Sequence, residues 1–357
     1  MNFYDNMQLS VKDCKELIRK AETPELKRKY WLSLIAKDIS CVAFAVLFIA
    51  GLNMIFGEAN SCAAVVIFCV LLSVRFVDFG YCLSSSLVNL GIIFTMMAAA
   101  PWISGLLGPW GGLLVNLVCI GYILLAACSQ PIMGNAGLYV FGYIFMYGQP
   151  VEGHELVLRI CEMAVGFMLC GTVYFIKHRK KIYKLRFRDV LPKKGILLPV
   201  GRWQIKLATG VSIALLIGQL TGLPRLMWMG FAALSVISPY ENNLKVRAAK
   251  RAGGVVIGSA AFLLLYGMAP ESLRTIFGIL GGLCLGLCAD YAWSTIFNCF
   301  GALCIAAVLF GLPQAAGLRI LMNLSGIVFI CLYHVIFEWL CKRAVEILNE
   351  KKVSCVE

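Results

Sequence analysis

The chain has 357 residues, of which 60% are hydrophobic and only 14% are charged, and its formal net charge is +13. Soluble domains are typically about 45–50% apolar and about 25% charged, so this composition excludes a water-soluble globular protein. The sequence therefore predicts a multi-pass membrane protein whose main partner is the lipid bilayer.

Residues 1–37 form a polar, charged arm without the basic-then-apolar run that marks a secretory signal. Ser10 and Asp13 predict a capping box, and Pro24 marks a second helix start. We expect two short amphipathic helices in this arm. They lie either on the cytoplasmic membrane surface or in solvent, as a leader into the first span.

Apolar stretches fill most of the remaining chain, and each crossing of a bilayer needs about 20 apolar residues. In the first half the predicted spans are 38–56, 61–76, 86–103, 110–128, 132–148 and 156–176. In the second half they are 204–221, 226–239, 252–268, 273–289, 292–311 and 317–340. The expected fold is an all-α polytopic membrane protein of about twelve transmembrane helices.

The positions of the basic residues predict the orientation of these spans. All but four of the 32 Lys and Arg residues lie in segments that are separated by even numbers of predicted crossings. Lys and Arg accumulate on the cytoplasmic side of inserted helices. We therefore expect the protein in the cytoplasmic membrane of the cell, with both termini on the cytoplasmic side. The four exceptions fall at predicted outer ends: Arg159, Arg225, Arg274 and Arg319.

The two halves share a pattern of residues at a constant offset of 163. Gly91, Asn135, Gly148 and Pro150 recur as Gly254, Asn298, Gly311 and Pro313. Six spans in each half make the two copies parallel, as in some transporters; otherwise the pattern is the scatter of glycines common to polytopic halves. The predicted domains are the arm (1–37), a first repeat (38–176), a basic cytoplasmic linker (177–203), a second repeat (204–340) and a cytoplasmic tail (341–357).

A motif in the second half carries a family resemblance. It consists of Trp203, Gly222-Leu223-Pro224, Trp228, Pro239, the basic stretch Lys245–Arg251, Gly254 and Gly258. It resembles the fusaric acid resistance (FUSC) family, also called the aromatic acid exporter family, in which an Arg-x-x-Gly-x-x-x-Gly pattern opens a helix after a tryptophan and a proline. The resemblance implies a membrane transporter of organic acids or amphipathic aromatic compounds, with paired six-span units.

The resemblance is weaker in the first half and does not extend to soluble domains. Gly91 is present there, but Val88 stands where the arginine would fall and Phe76 where the proline would fall. The large soluble domains common in the family have no counterpart in this chain.

Several polar residues within or beside the spans are candidates for substrate binding. Basic groups before a helix start attract an anion, or they only anchor the helix at the cytoplasmic surface. Charges inside a membrane usually face a cavity or a partner, and neutral asparagines line a passage or cap helices. The candidates are Arg247, Lys250, Arg251, Trp228, Asn135, Asn298, Arg159 and Arg319.

Arg159 is also placed to pair with Glu162, three residues later on the same helix face. Asp290 and His334 are candidates for proton coupling, with simple solvation as the alternative. No Cys or His cluster with metal spacing occurs, and the sequence indicates no cofactor.

The leading hypothesis is therefore a transporter that exports aromatic or other organic acids through a passage between the two repeats. An anion channel and a polytopic transferase acting on lipid or cell-envelope precursors are the alternatives. The transferase would need an acid–base or nucleophile constellation, and the sequence contains no Gly-x-Ser-x-Gly or His-Glu-x-x-His motif. Nucleic acid is not an expected partner, because positive-inside anchoring accounts for the net charge.

The charge distribution makes a testable prediction about topology. Epitope tags inserted at Gly57 and Glu152 are expected to be reached by antibody from outside the cell, and tags at Arg188 and Lys245 only after permeabilisation. An outside signal at Arg188 would contradict the arrangement in two halves.

Overall fold

The computed structural model describes residues 2–129, 134–191, 198–222, 224–237 and 243–354. Within these ranges all regular elements are helices, which confirms the predicted all-α class. The predicted span 132–148, the linker 177–203 and the span 226–239 lie partly outside the described residues, and Pro239 and Leu223 of the motif lie wholly outside them.

The helices follow the predicted apolar stretches. They are α1 (Phe3–Gln8), α2 (Val11–Lys20), α3 (Pro24–Phe56), a 3₁₀ turn (Glu58–Asn60), α4 (Ser61–Ser73), α5 (Leu83–Ala127), α6 (Asn135–Tyr147), α7 (Gly153–His178), α8 (Phe187–Val190), α9 (Pro199–Leu220), α10 (Met227–Val236), α11 (Leu244–Met268), α12 (Glu271–Arg274), α13 (Ile276–Gly286), α14 (Tyr291–Phe310) and α15 (Leu312–Ser354).

Seven described helices are long and apolar enough to cross a membrane, as judged by length and composition. They are α3, α5, α7, α9, α11, α14 and α15. Helical residues also underlie the other predicted spans, where the helices are shorter, as in α4 and α10. The protein is therefore an all-helical, multi-pass membrane protein, whereas twelve crossings and their orientation stay predictions.

The longest of these helices, α5, is a hairpin of two antiparallel arms. The backbone of Gly108 reverses the chain with φ 69° and ψ −174°, a conformation that is essentially restricted to glycine. Pro109 then starts the second arm, where a missing N–H costs nothing. Asn89 and Tyr122, 33 residues apart, are consequently joined by a hydrogen bond of 2.5 Å. The hairpin contains the two spans predicted at 86–103 and 110–128.

The N-terminal arm differs from the prediction at its boundary. Ser10 caps α2 as expected, since its hydroxyl accepts a hydrogen bond of 3.1 Å from the backbone N–H of Asp13. The second predicted helix also starts at Pro24, but it continues without interruption to Phe56 as α3. No helix boundary exists at residue 37, because the polar first turns of α3 run directly into its apolar part.

The chain divides into two compact units, each of which takes helices from both predicted halves. Unit 1 comprises Met1–Phe48 and Val246–Asn323, and unit 2 comprises Ile49–Lys245 and Leu324–Glu357. In unit 1, Cys14 and Ile18 of α2 bury against Leu34 of α3, and the carboxylate of Asp38 on α3 abuts Gly286 at the end of α13.

In unit 2, α9 packs against α5 and α10. The side chain of Gln204 on α9 donates hydrogen bonds to the carbonyl oxygens of Leu124 and Cys128, at 3.0 and 3.3 Å. Glycine permits two close contacts between helices, of α7 with α4 and of α15 with α10. A Cβ at Gly166 would lie 2.5 Å from the side chain of Ile67, and one at Gly326 would lie 2.7 Å from the carbonyl oxygen of Met229.

Asp78 anchors the loop between α4 and α5 in unit 2. Its buried carboxylate accepts hydrogen bonds from Lys181 Nζ at 2.7 Å, Tyr183 Oη at 2.9 Å and the backbone N–H of Gly80 at 2.9 Å. Burial alone would raise the pKa of Asp78, but the hydrogen bonds from Lys181 and Tyr183 outweigh it and lower that pKa below its usual value. The loop is thus tied to the segment that follows α7.

We predict that Asp78→Asn lowers the free energy of unfolding by about 1–3 kcal/mol at neutral pH, because the donors of Lys181 and Tyr183 lose a charged acceptor. A folded-state pKa below the unfolded value of about 3.9 means that this stability is present above that pH and is lost as the pH falls through the folded pKa. The difference between wild type and variant should therefore shrink in acid.

Denaturant unfolding in detergent, followed by tryptophan fluorescence across pH, measures both effects. Asp189→Asn is the control, because that carboxylate is 44% exposed and its contact with Arg188 is long, at 3.9 Å. Equal losses in the two variants would contradict the anchoring role of Asp78.

Candidate functional site: a buried arginine cluster

Helices α11 and α14 approach closely in unit 1 because two glycines of the motif face α14. A Cβ at Gly254 would lie 2.8 Å from the Cβ of Thr295, and one at Gly258 would lie 2.6 Å from the carbonyl oxygen of Ile296. Neither contact leaves room for a side chain, so the small residues are packing devices. These two contacts hold the N-terminal part of α11, which contains Arg251, against α14.

Arg251 is buried, with only 6% of its surface exposed. Its Nη2 donates a hydrogen bond of 3.0 Å to Oδ1 of Asn323 on α15, and its Nε has no hydrogen-bond partner in the part of the chain that the structure describes. The amide of Asn323 is oriented by a second bond, in which Nδ2 donates to the backbone carbonyl of Arg319 at 2.9 Å. Within the described residues Arg251 forms no ion pair.

Arg319 completes this arginine cluster, which we define as Arg251, Arg319 and Asn323. Arg319 is 3% exposed, and its backbone carbonyl is joined to Arg251 through the amide of Asn323, so the two buried arginines are linked by one side chain. Helix α15 begins at Leu312, so Arg319 lies two turns inside the helix and not at its end. Two cations are thus held together in a buried place, where charges are costly.

The arginine cluster has the chemistry of an anion site. A guanidinium presents its N–H groups as a planar fork that matches a carboxylate, and two neighbouring cations gain from an anion that neutralises their repulsion. The neutral amide of Asn323 accepts a hydrogen bond from Nη2 of Arg251 but leaves the positive charge of the guanidinium uncompensated. A small organic anion would supply the missing acceptor for Nε of Arg251.

The other basic candidates on α11 lie at the surface next to the start of α14. The guanidinium of Arg247 stacks on the ring of Tyr291, 4.1 Å from its centroid. Lys250 donates a hydrogen bond of 3.0 Å to Asp290, and both side chains are about half exposed. Asp290 also caps α14 by accepting from the backbone N–H of Ala292, and its ion pair with Lys250 lowers its pKa. These features favour a structural role for Asp290.

The remaining predicted residues are not part of the arginine cluster. Trp228 is buried in α10 of unit 2, and Asn298 lies on the exposed face of α14. Asn135 tethers the start of α6, because its side chain donates to the carbonyl oxygens of Ala127 and Asp78 at 2.7 and 3.3 Å. The matched asparagines of the two halves therefore have different surroundings.

His334 on α15 belongs to a separate polar group in unit 2. Its Nδ1 lies 3.3 Å from Lys206 Nζ, and Lys206 donates a hydrogen bond of 3.0 Å to Glu338. Across the described part of the chain, no group of three or more His, Cys, Asp or Glu side chains is placed to hold a metal ion.

Sequence reasoning missed the bridging role of Asn323. Its spacing of four residues from Arg319 places the two on one face of a helix, but that spacing does not reveal a bond to Arg251, 72 residues earlier. The signal that was available was the pair of arginines itself, since intramembrane arginines are rare and need partners.

Comparison with known proteins agrees with the motif. Residues 213–333 match the profile of the family described as fusaric acid resistance protein-like, which confirms the predicted resemblance. The matched region contains all three members of the arginine cluster. No curated protein and no solved structure is significantly similar to the chain.

We predict that Gly258→Ala destabilises the protein by about 1–3 kcal/mol, because the added methyl would overlap the backbone of Ile296. Gly253→Ala is the matched control, since a Cβ there meets no atom within 4 Å and alanine favours the helix. Thermal unfolding in detergent should therefore separate the two variants. Equal melting temperatures would contradict the close approach of α11 and α14.

Proposed function

We propose that the protein is a membrane transporter that exports aromatic or other organic acids across the cytoplasmic membrane. The match to the fusaric acid resistance protein-like family and the apolar helices support a membrane transporter. The observation that carries the substrate class is the arginine cluster, in which Arg251 is buried with a free Nε and no carboxylate partner among the described residues.

The basic residues of α11 suggest how an anion reaches this cluster. Lys245, Arg247 and Lys250 occupy the two turns before Arg251 and form a positive entry that raises the local concentration of anions. Arg251 then binds the carboxylate in a place of low dielectric, where the attraction is strong. Aromatic side chains of unit 1, such as Phe262 and Phe300, provide apolar surface for a ring or chain.

The proposal includes two parallel six-helix repeats with a passage between them. Under the offset of 163 residues, the contact of α9 with Leu124 corresponds to the contact of α3 with Leu287. A three-residue insertion near Gly153 reduces the offset to 160 for the rest of the first half. With that offset, the glycine contacts of α7 with α4 and of α15 with α10 also correspond, through Gly166 and Gly326. These pairs support the repeat, although Gly91 and Gly254 contact different helices of their halves.

Transport by purified protein in proteoliposomes tests the function. We predict that Arg251→Ala reduces the flux of radiolabelled benzoate or a labelled dicarboxylate by about tenfold or more, because a charge-assisted bond is worth roughly 1.5–3 kcal/mol. Arg251→Lys should retain part of the activity, since a lysine keeps the charge but loses the planar fork.

Arg343→Ala is the matched control, because that arginine is 66% exposed near the end of α15 and lies outside the arginine cluster. Flux at the wild-type level in the Arg251 variants, at equal incorporation, would remove the site. A flux that depends on the membrane potential but does not change with an imposed pH gradient would favour the anion channel over a proton-coupled carrier.

A further inference from the structure

Glu162, in the interior of α7, is a buried carboxyl group that the proposed anion site does not use. Its side chain is 1% exposed, and both of its oxygen atoms are buried without a hydrogen-bond partner among the described residues. Buried polar groups are nearly always hydrogen-bonded, so such a carboxyl group needs an explanation. In a membrane-spanning helix, ionisable residues without a structural partner are typically functional.

The neighbouring cation is engaged elsewhere. Arg159, one turn earlier on α7, is fully buried and was expected to pair with Glu162. Instead its Nε donates to Oδ1 of Asn60 at 2.9 Å, and its Nη2 donates to the carbonyl oxygen of Ala59 at 3.0 Å. Its Nη1 donates to the carbonyl oxygen of Gln149. Its Nη2 also donates to Sγ of Cys62 at 3.2 Å. The guanidinium is thus satisfied by Gln149, by Cys62 and by the corner at residues 57–60, which joins α3 to α4.

Few other charged groups face Glu162. Helices α4 and α5, which pack against α7, contain no charged residue, and α4 contributes only the thiol of Cys62. Glu58 of the 3₁₀ turn is exposed, and the Glu155 side chain lies 3.4 Å from the amide of Asn60. Arg159 is therefore the group that decides whether an ionised Glu162 can be tolerated.

We propose that Glu162 is a proton-binding site, and that loss of its proton draws Arg159 from the corner at residues 57–60 onto the carboxylate. With the proton bound, Glu162 is neutral, and Arg159 stays on Asn60 and Ala59 as observed. Without it, a bare carboxylate in a buried place costs several kcal/mol unless a cation pairs with it. Arg159 lies on the same helix face, one turn away, and can exchange one set of acceptors for the other.

The exchange has a defined mechanical result. Asn60 and Ala59 lose their donor when Arg159 leaves, so the corner between α3 and α4 loosens as the proton departs. Two discrete arrangements of one arginine thus link the protonation state of α7 to the connection of two other helices. The inference does not rest on any substrate, so its failure would leave the proposed transport function standing.

Covalent labelling tests the protonation site. Dicyclohexylcarbodiimide, an apolar reagent, adds to protonated carboxyl groups within lipid, and peptide mass spectrometry locates the adduct. In native membranes we expect an adduct on Glu162 that decreases about tenfold per pH unit once the group ionises. The internal comparison is Glu338, which is paired with Lys206 and is expected to stay unlabelled. Absence of an adduct on Glu162 at every pH would overturn the proposal.

Hydrogen–deuterium exchange tests the coupling. In wild type, the peptide containing residues 57–62 should exchange faster, relative to Glu162→Gln at the same pH, when Glu162 is ionised. The two proteins should coincide at low pH. Should Glu162→Gln be unstable, Glu162→Met takes its place, because Met322 occupies the corresponding position of the second half under the offset of 160 that applies after the insertion near Gly153. Equal exchange in wild type and variant at every pH would contradict the partner exchange of Arg159.

Discussion

The need to satisfy every charge and backbone group inside the protein governs this molecule, because lipid offers no hydrogen bonds. Two buried arginines differ in how far their guanidinium groups are hydrogen-bonded within the protein. Arg159 is surrounded by acceptors from the corner at residues 57–60 and from Gln149. Arg251 has one amide acceptor and a neighbouring cation. The hydrogen bonds of Arg159 join α7 to its neighbours, whereas Arg251 keeps an N–H group without an acceptor among the described residues, which is the basis of the proposed anion site.

The two halves differ at the positions where charge is placed. Val88 corresponds to Arg251, so the first half has no equivalent of the arginine cluster. Conversely, Met322 corresponds to Glu162 under the offset of 160 that applies after the insertion near Gly153, so the second half has no equivalent of the buried carboxyl group. The two sites that we propose, for an anion and for a proton, therefore lie in different halves of the chain. A shared helix pattern can therefore carry different chemistry in each copy.

Much of the fold was predictable, because hydropathy marks helices that lipid surrounds and glycine marks the corners between them. The predicted spans 86–103 and 110–128 match the two arms of α5 on either side of Gly108. The motif around Arg251 indicated the family whose profile matches residues 213–333. The partners of charged side chains were not predictable. Arg159 donates a hydrogen bond to Asn60, 99 residues away, and not to Glu162 on its own helix. The partner of a buried arginine depends on which oxygen atoms the tertiary fold leaves without a donor, and residue spacing within one helix does not predict those atoms.

The length of α15 has a consequence for the surface that the protein presents outside the lipid. Its 43 residues at about 1.5 Å per residue extend to roughly 65 Å, about twice the thickness of a hydrocarbon core. One end of this helix must therefore stand well clear of the bilayer. The C-terminal third of α15 contains Lys342 and Arg343, which would attract anionic lipid headgroups where this end projects on the cytoplasmic side, as the charge distribution predicts. The projecting part of this helix offers a rigid helical surface outside the bilayer.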